Sequence, residues 1–239
     1  PYGVIVGKKL NRTEAGEVIY ENGLPTFDDK VSVLGNGNYD FTLGFRNAFS
    51  YKNLSMSVLV DMKFGADVYS MSKMQSHVNG TSKETLEGRE GWYASEQARL
   101  SANVDAKDWA PTGGYVGKGV KAVTDADGNV SYVPNDVYVD PAKYWQALQN
   151  SSPEPFICDN SFVKLREVSL SYSCPKKWFV HTPIESVTLS AYGRNLLLIY
   201  SKVDNIDPES SYNNGNGQGF EYGSLPSRRT FGFGINVKF

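Results

Sequence analysis

From Phe41 onward, apolar and polar residues alternate strictly through two adjacent segments of eleven residues each. In the first, Phe41, Leu43, Phe45, Asn47, Phe49 and Tyr51 share one parity, and Thr42, Gly44, Arg46, Ala48 and Ser50 the other. After Lys52-Asn53 the pattern resumes, with Leu54, Met56, Val58, Val60, Met62 and Phe64 on one side and Ser55, Ser57, Leu59, Asp61 and Lys63 on the other. Successive side chains of a strand point to opposite faces, so this pattern is an antiparallel hairpin with one oily and one wet face. Ten steps of about 3.3 Å give about 33 Å of strand, which at a tilt of about 40° projects to roughly 25 Å. That is the height of the apolar band around an outer-membrane barrel, whereas strands of water-soluble proteins average about 5–6 residues. Phe41, Tyr51 and Phe64 close the ends with rings, as interfacial girdles do.

Three further segments repeat the pattern. Val163 and Leu165 share one parity, and Val168, Leu170 and Tyr172 the other. Either a β-bulge near Arg166-Glu167 brings all five onto one face, or the first residues project above the membrane. Val187, Leu189 and Ala191 then alternate with Ser186, Thr188, Ser190, Tyr192 and Arg194. In the last segment Phe231, Phe233, Ile235, Val237 and Phe239 face one way, and Gly232, Gly234, Asn236 and Lys238 the other. The expected fold is all-β, with five complete strands of a transmembrane antiparallel barrel.

The connections fix an orientation. Those at 52–53 and 175–185 are short, and those at 65–161 and 198–226 are long, as periplasmic turns and extracellular loops are. The chain therefore divides into an extracellular loop region with a hairpin (1–40), a transmembrane hairpin (41–64), a long extracellular loop with a helix expected at 66–88 (65–161), and three C-terminal strands (162–239). An open sheet edge cannot be satisfied inside lipid, and known barrels have at least about eight strands. The reading is thus of a piece of a larger barrel.

Other classes fit poorly. A net charge of −2 without a Lys/Arg run offers nothing to nucleic acid. No apolar stretch is long enough for a spanning helix. Cys158 and Cys174 flank the strand at 162–172, too far apart to bridge. His77 and His181 are the only histidines, HExxH, GxSxG and CxxC motifs are absent, and neither catalysis nor a cofactor is expected. Asp125-Ala-Asp127-Gly128-Asn129 begins like a calcium loop but lacks its later ligands; a type I′ hairpin turn is the simpler reading, and no metal is expected. Asp204, Asp207 and Glu209 form a weak acidic cluster. Trp92, Trp109, Tyr115 and Trp145 lie in the long loop and could stack on sugar rings, although packing of that loop on itself or on a lipoprotein is the favoured reading. Arg46, Asp61, Lys63 and Arg194 fall on the wet face and would line a lumen.

The residues also carry a resemblance. The end, RTFGFGINVKF (229–239), looks like the C-terminal assembly signal of outer-membrane barrels, carried by Phe231, Phe233, Ile235, Val237 and Phe239. VLGNGNYDFTLGFRNAFSYKNLSMSVLVDMKFGADVYS (33–70), FVKLREVSLSYSCPKK (162–177) and LSAYGRNLLLIYSKVDNIDPE (189–209) resemble segments of SusC/RagA-type TonB-dependent transporters of Bacteroidetes. The likeness covers the chain except 91–157, and Tyr39 departs from it where the family usually has proline. It implies a 22-stranded outer-membrane barrel with an N-terminal plug, inserted by the barrel-assembly machinery. It also implies import of glycans or peptides with a SusD-like surface lipoprotein, energised by TonB through an N-terminal region absent from this sequence. A soluble sugar-binding module would show shorter strands and no terminal aromatic. A porin or siderophore receptor is opposed by the resemblance alone.

Overall fold

The computed structural model describes residues 3–210, 215 and 217–239, so that part of the 198–226 connection lies outside it. The chain folds as two compact units, one of residues 3–35 and 69–157, the other of 36–68 and 158–239.

The second unit is built on five long strands: β1 (Phe41–Tyr51), β2 (Leu54–Phe64), β3 (Phe162–Ser173), β4 (Ser186–Ser201) and β5 (Thr230–Lys238). They stand side by side in chain order, each antiparallel to the next. Tyr51 lies opposite Leu54 across a two-residue turn in which Lys52 takes a positive φ. Among the described residues the five strands do not close into a barrel, and β1 and β5 each have one neighbour. Cys158 and Cys174 lie beyond opposite ends of β3.

Register carries the face assignment across the sheet. Phe45 opposes Val60, which opposes Leu165; Phe49 opposes Met56, which opposes Leu170; Leu170 opposes Ala191, which opposes Phe233. Against β2, Leu165 opposes Val60 and Glu167 opposes Leu59, so Arg166 is the extra residue; against β4 the register breaks at the same place and again between Val163 and Lys164. The bulge changes parity once and keeps Val163, Leu165, Val168, Leu170 and Tyr172 on the apolar face. That face is uncovered: Phe45 is 56 % exposed, Phe231 69 % and Phe233 87 %.

The first unit differs from the expected loop. The region 1–40, expected as a loop region with a hairpin, includes strands Val4–Leu10 and Phe27–Asn36, which pair with each other. A tight hairpin turns at Asn22-Gly23, where both residues have positive φ, as a type I′ turn requires. Instead of one helix at 66–88 there are three helices, α1 (Met71–Val78), α2 (Arg89–Ser101) and α3 (Pro141–Ser151). Ser70 starts α1 by accepting the Lys73 N–H, and Asn79-Gly80 ends it before the 3-10 turn Lys83–Leu86. Asp140 starts α3 by accepting from the Ala142 N–H, with Pro141 in the first turn. α3 then sends Tyr144, Trp145 and Leu148 into a core shared with Tyr20, Met74, Tyr115 and Phe156. Asp125–Asn129 does link two strands, Val120–Thr124 and Val130–Pro134. Within that turn Gly128 alone has a positive φ, so it is not type I′.

Candidate functional site

The polar face of the five-stranded sheet carries ion pairs that run across several strands. Two clusters form there. In the smaller, Glu167 of β3 stands between Arg46 of β1 at 3.6 Å and Arg194 of β4 at 2.8 Å. All three side chains reach the same face because Arg46 and Glu167 both flank Leu59, and Arg194 opposes Glu167.

The larger cluster depends on the bulge. Arg166, outside both ladders, donates from Nε to Asp61 at 2.6 Å and from Nη1 to Asn195 at 2.7 Å. Its Nη1 and Nη2 also grip both Glu209 oxygens, at 2.8 and 2.6 Å. Lys164, buried beside it, donates to Glu209 at 2.8 Å, Asp207 at 3.1 Å and the Ser227 hydroxyl at 2.9 Å. The last connection is thereby fastened to the sheet through its own carboxylates. Burial works to raise the Glu209 carboxyl, but hydrogen bonds from Arg166 and Lys164 outweigh it and hold the group at about 2. Asp207 is likewise held below its ordinary value, burial opposing and bonds from Ser227, Glu209 and Lys164 prevailing. Charge-assisted bonds of this kind are the strong ones.

Beside Glu209 opens a polar cavity of about 370 Å³ whose wall includes Tyr39, Lys63, Asp67, Asn160 and Ser210. Asn160 donates from Nδ2 to the Tyr39 hydroxyl at 2.9 Å and to the Pro208 carbonyl at 2.8 Å. Lys63 lies 3.8 Å from Glu209, with its ammonium 5.3 Å from the Tyr39 ring centre and 5.8 Å from that of Phe162. Burial, then the Glu209 charge, pushes the Tyr39 hydroxyl up to about 12.

Arg46, Asp61, Lys63 and Arg194, the expected wet-face residues, thus share this face, each in an ion pair. Sequence reasoning missed Lys164, Arg166 and Glu167 as their partners. A signal was available. Lys164 and Arg166 are spaced by two, as are Asp207 and Glu209, and two such complementary pairs can meet across a strand and a loop.

The four expected platform aromatics separate. Tyr115 and Trp145 are core residues, 9 % and 8 % exposed, packed against Tyr144 with ring centres 4.4 and 5.2 Å away. Packing of the segment on itself, the reading favoured over a sugar platform, occupies both rings. Trp109 donates its indole N–H to Ser95 at 3.1 Å. Trp92 is half-buried and, with Tyr93 and Arg89, lines an apolar cavity of about 440 Å³. His77 is buried, bonded to the Lys73 carbonyl and to Glu84, both at 2.8 Å. Asp125 accepts from Asp127 and Asn129 as a turn residue, and among the described residues no group of three or more His, Cys, Asp or Glu is placed to hold a metal.

No protein-family model matches the chain. Two curated proteins of Formosa agariphila do. TonB-dependent receptor P3 is 27 % identical over 222 residues, covering 90 % of this chain and 18 % of its own. TonB-dependent receptor P26 is 29 % identical over 240 residues, covering 98 % of this chain and 20 % of its own. The chain therefore spans about a fifth of the length of these relatives. Among solved structures, the RagAB peptide importer is similar in its "closed-closed" state (TM-score 0.57) and "open-open" state (TM-score 0.53). Identity is 15 %, over 99 % of this chain and 23 % and 22 % of those chains, a likeness of fold.

Proposed function

We propose that this chain, which resembles TonB-dependent receptors in sequence and SusC/RagA-type transporters in fold, forms the C-terminal wall of an outer-membrane nutrient importer. One observation carries the reading: a five-stranded meander whose aromatic and aliphatic face nothing covers among the described residues. In water such a face would aggregate, whereas in lipid it is the outer band of a barrel. The opposite face, with its paired charges, then lines the lumen, and Phe231, Phe233, Ile235, Val237 and Phe239 serve assembly. The open edges of β1 and β5 are closed by strands elsewhere in a longer protein, in keeping with the share of the relatives that this chain spans.

On this reading the whole transporter imports glycans or peptides, with TonB engaged through an N-terminal region and a SusD-like lipoprotein at the surface. The similar proteins carry names of receptors and importers, and no catalysis is proposed. Membrane fractionation of cells making the full-length protein tests this. It should sediment with the outer membrane, need detergent for release and copurify with a surface lipoprotein. A detergent-free soluble protein overturns the reading.

A further inference from the structure

We infer that the wet face of the sheet carries a binding station for a small oxyanion, formed by Arg46 and Arg194 around Glu167 and extended by Arg228. The inference rests on the reading of this face as a lumen wall. Charge is divided unevenly along that wall. In the larger cluster Lys63, Lys164 and Arg166 meet Asp61, Asp207 and Glu209, one carboxylate for each cation. In the smaller one, two arginines share the single carboxylate of Glu167 among the described residues. Arg228 adds to the excess, because its carbonyl accepts at 3.1 Å from Asn195, the residue after Arg194. It is exposed and meets no carboxylate among the described residues.

The unspent donors define the ligand. Arg46 lies 3.6 Å from Glu167, longer than a hydrogen bond, so its guanidinium protons are available. Arg194 commits Nε to Glu167 and leaves both Nη groups. The Tyr192 ring, 5.2 Å from the Arg194 Cζ, supports that guanidinium without using an N–H. Glu167 is the most covered member of the three, its side chain 21 % exposed against 62 % for Arg46 and 60 % for Arg194. Solvent therefore meets the cations before the carboxylate. A planar fork of N–H groups matches paired oxygens, as in a carboxylate, sulfate or phosphate. Because both forks converge on one Glu167 group, they stand close enough together for a second anion to bridge them.

A reversible occupant explains the excess better than a fixed one. Where this face needs permanent neutralisation, the chain supplies it, as Asp207 and Glu209 do for Lys164 and Arg166. At Arg46 and Arg194 it supplies half as much, and the remainder is left to what passes through the lumen. A cation is repelled by the surplus positive charge. An anion is drawn to it, since clefts lined by one sign of charge between low-dielectric walls focus the field. Charge at this level of the wall thus selects among solutes by sign, whatever else they carry.

The test uses the full-length protein in non-ionic detergent and follows the methylene NMR signal of malonate, with malonamide as its uncharged counterpart. Malonate should show saturable line broadening that weakens as salt is added, and malonamide should show none. Arg46→Gln and Arg194→Gln each leave the other arginine on Glu167. Both should unfold at the wild-type midpoint while weakening malonate roughly tenfold. Glu167→Gln removes the competing charge and should bind malonate at least as tightly as the wild type, which a purely structural triad does not predict. The inference falls if malonate does not bind, if malonamide binds equally, if neither arginine variant weakens malonate, or if Glu167→Gln weakens it as much as they do. It also falls if the full-length structure sets one of the protein's own carboxylates between Arg46 and Arg194. Membrane fractionation is read separately. An outer-membrane protein whose malonate affinity ignores all three changes overturns the station alone. Malonate binding by a protein absent from the outer membrane overturns the import reading.

Discussion

Glu209 is the residue on which the charge network converges, reached by Arg166, Lys164 and Lys63. Glu209→Gln keeps the shape and removes the charge, while Arg166 retains Asp61 and Lys164 retains Asp207. The cost should be about 1–3 kcal/mol, because a buried cluster is weakened but no cation is stranded. It should appear as faster proteolysis within the 202–229 connection and a lower unfolding midpoint. The pH dependence follows from the same group. The docked carboxyl sits at about 2, below its ordinary 4.5, so its stabilisation is fully present above about pH 4.5 and is lost as pH falls through about 2. Hydrogen exchange at 202–210 should accelerate across that window in the wild type, and Glu209→Gln should flatten the response. Of this network the sequence revealed the wet-face charges and an acidic cluster as separate facts. Their meeting was hidden because Arg166 and Glu209 lie 43 residues apart, a separation that local patterning cannot bridge.

At the scale of elements, legibility follows periodicity. β1 and β2 begin and end where the alternation does, because a buried or lipid-facing strand face tolerates no slip of one residue. The bulge in β3 was one of two readings of a change in parity, and pairing with both neighbours decides it. The first unit was far less legible, since its helices are short and defined by caps such as Ser70 and Asp140 more than by repeated apolar spacing. The packing of β4 against β5 gives a prediction. A methyl group at Gly232 would lie 2.3 Å from the Tyr192 ring, and Gly232 opposes Tyr192 in register. Gly232→Ala should therefore destabilise the sheet by about 1–3 kcal/mol through overpacking. Adding Tyr192→Ala should recover most of that loss. Denaturant unfolding of the two single variants and the double variant measures the coupling, and additive losses would show that the ring does not limit this position.

For the whole molecule, the question is which medium the apolar face meets, and a charge placed on it distinguishes the answers. Phe233 lies mid-strand in β5, 87 % exposed, on the face shared with Leu170 and Ala191. Asn236 lies on the same strand with opposite parity. If lipid covers the first face, Phe233→Arg in the full-length protein should cost about 2–4 kcal/mol near the bilayer midplane. The protein should then accumulate poorly in the outer membrane and unfold at lower denaturant. Asn236→Arg, projecting toward a watery lumen, should leave both measurements near wild type. In a water-soluble protein the ordering reverses, because replacing an exposed ring by arginine removes a sticky patch and is neutral or helpful to solubility. The paired variants share a strand, a backbone conformation and an added charge, so a difference between them reports the medium on each face. Equal behaviour would remove the argument for a membrane barrel, because that argument depends on the two faces of one sheet meeting different solvents.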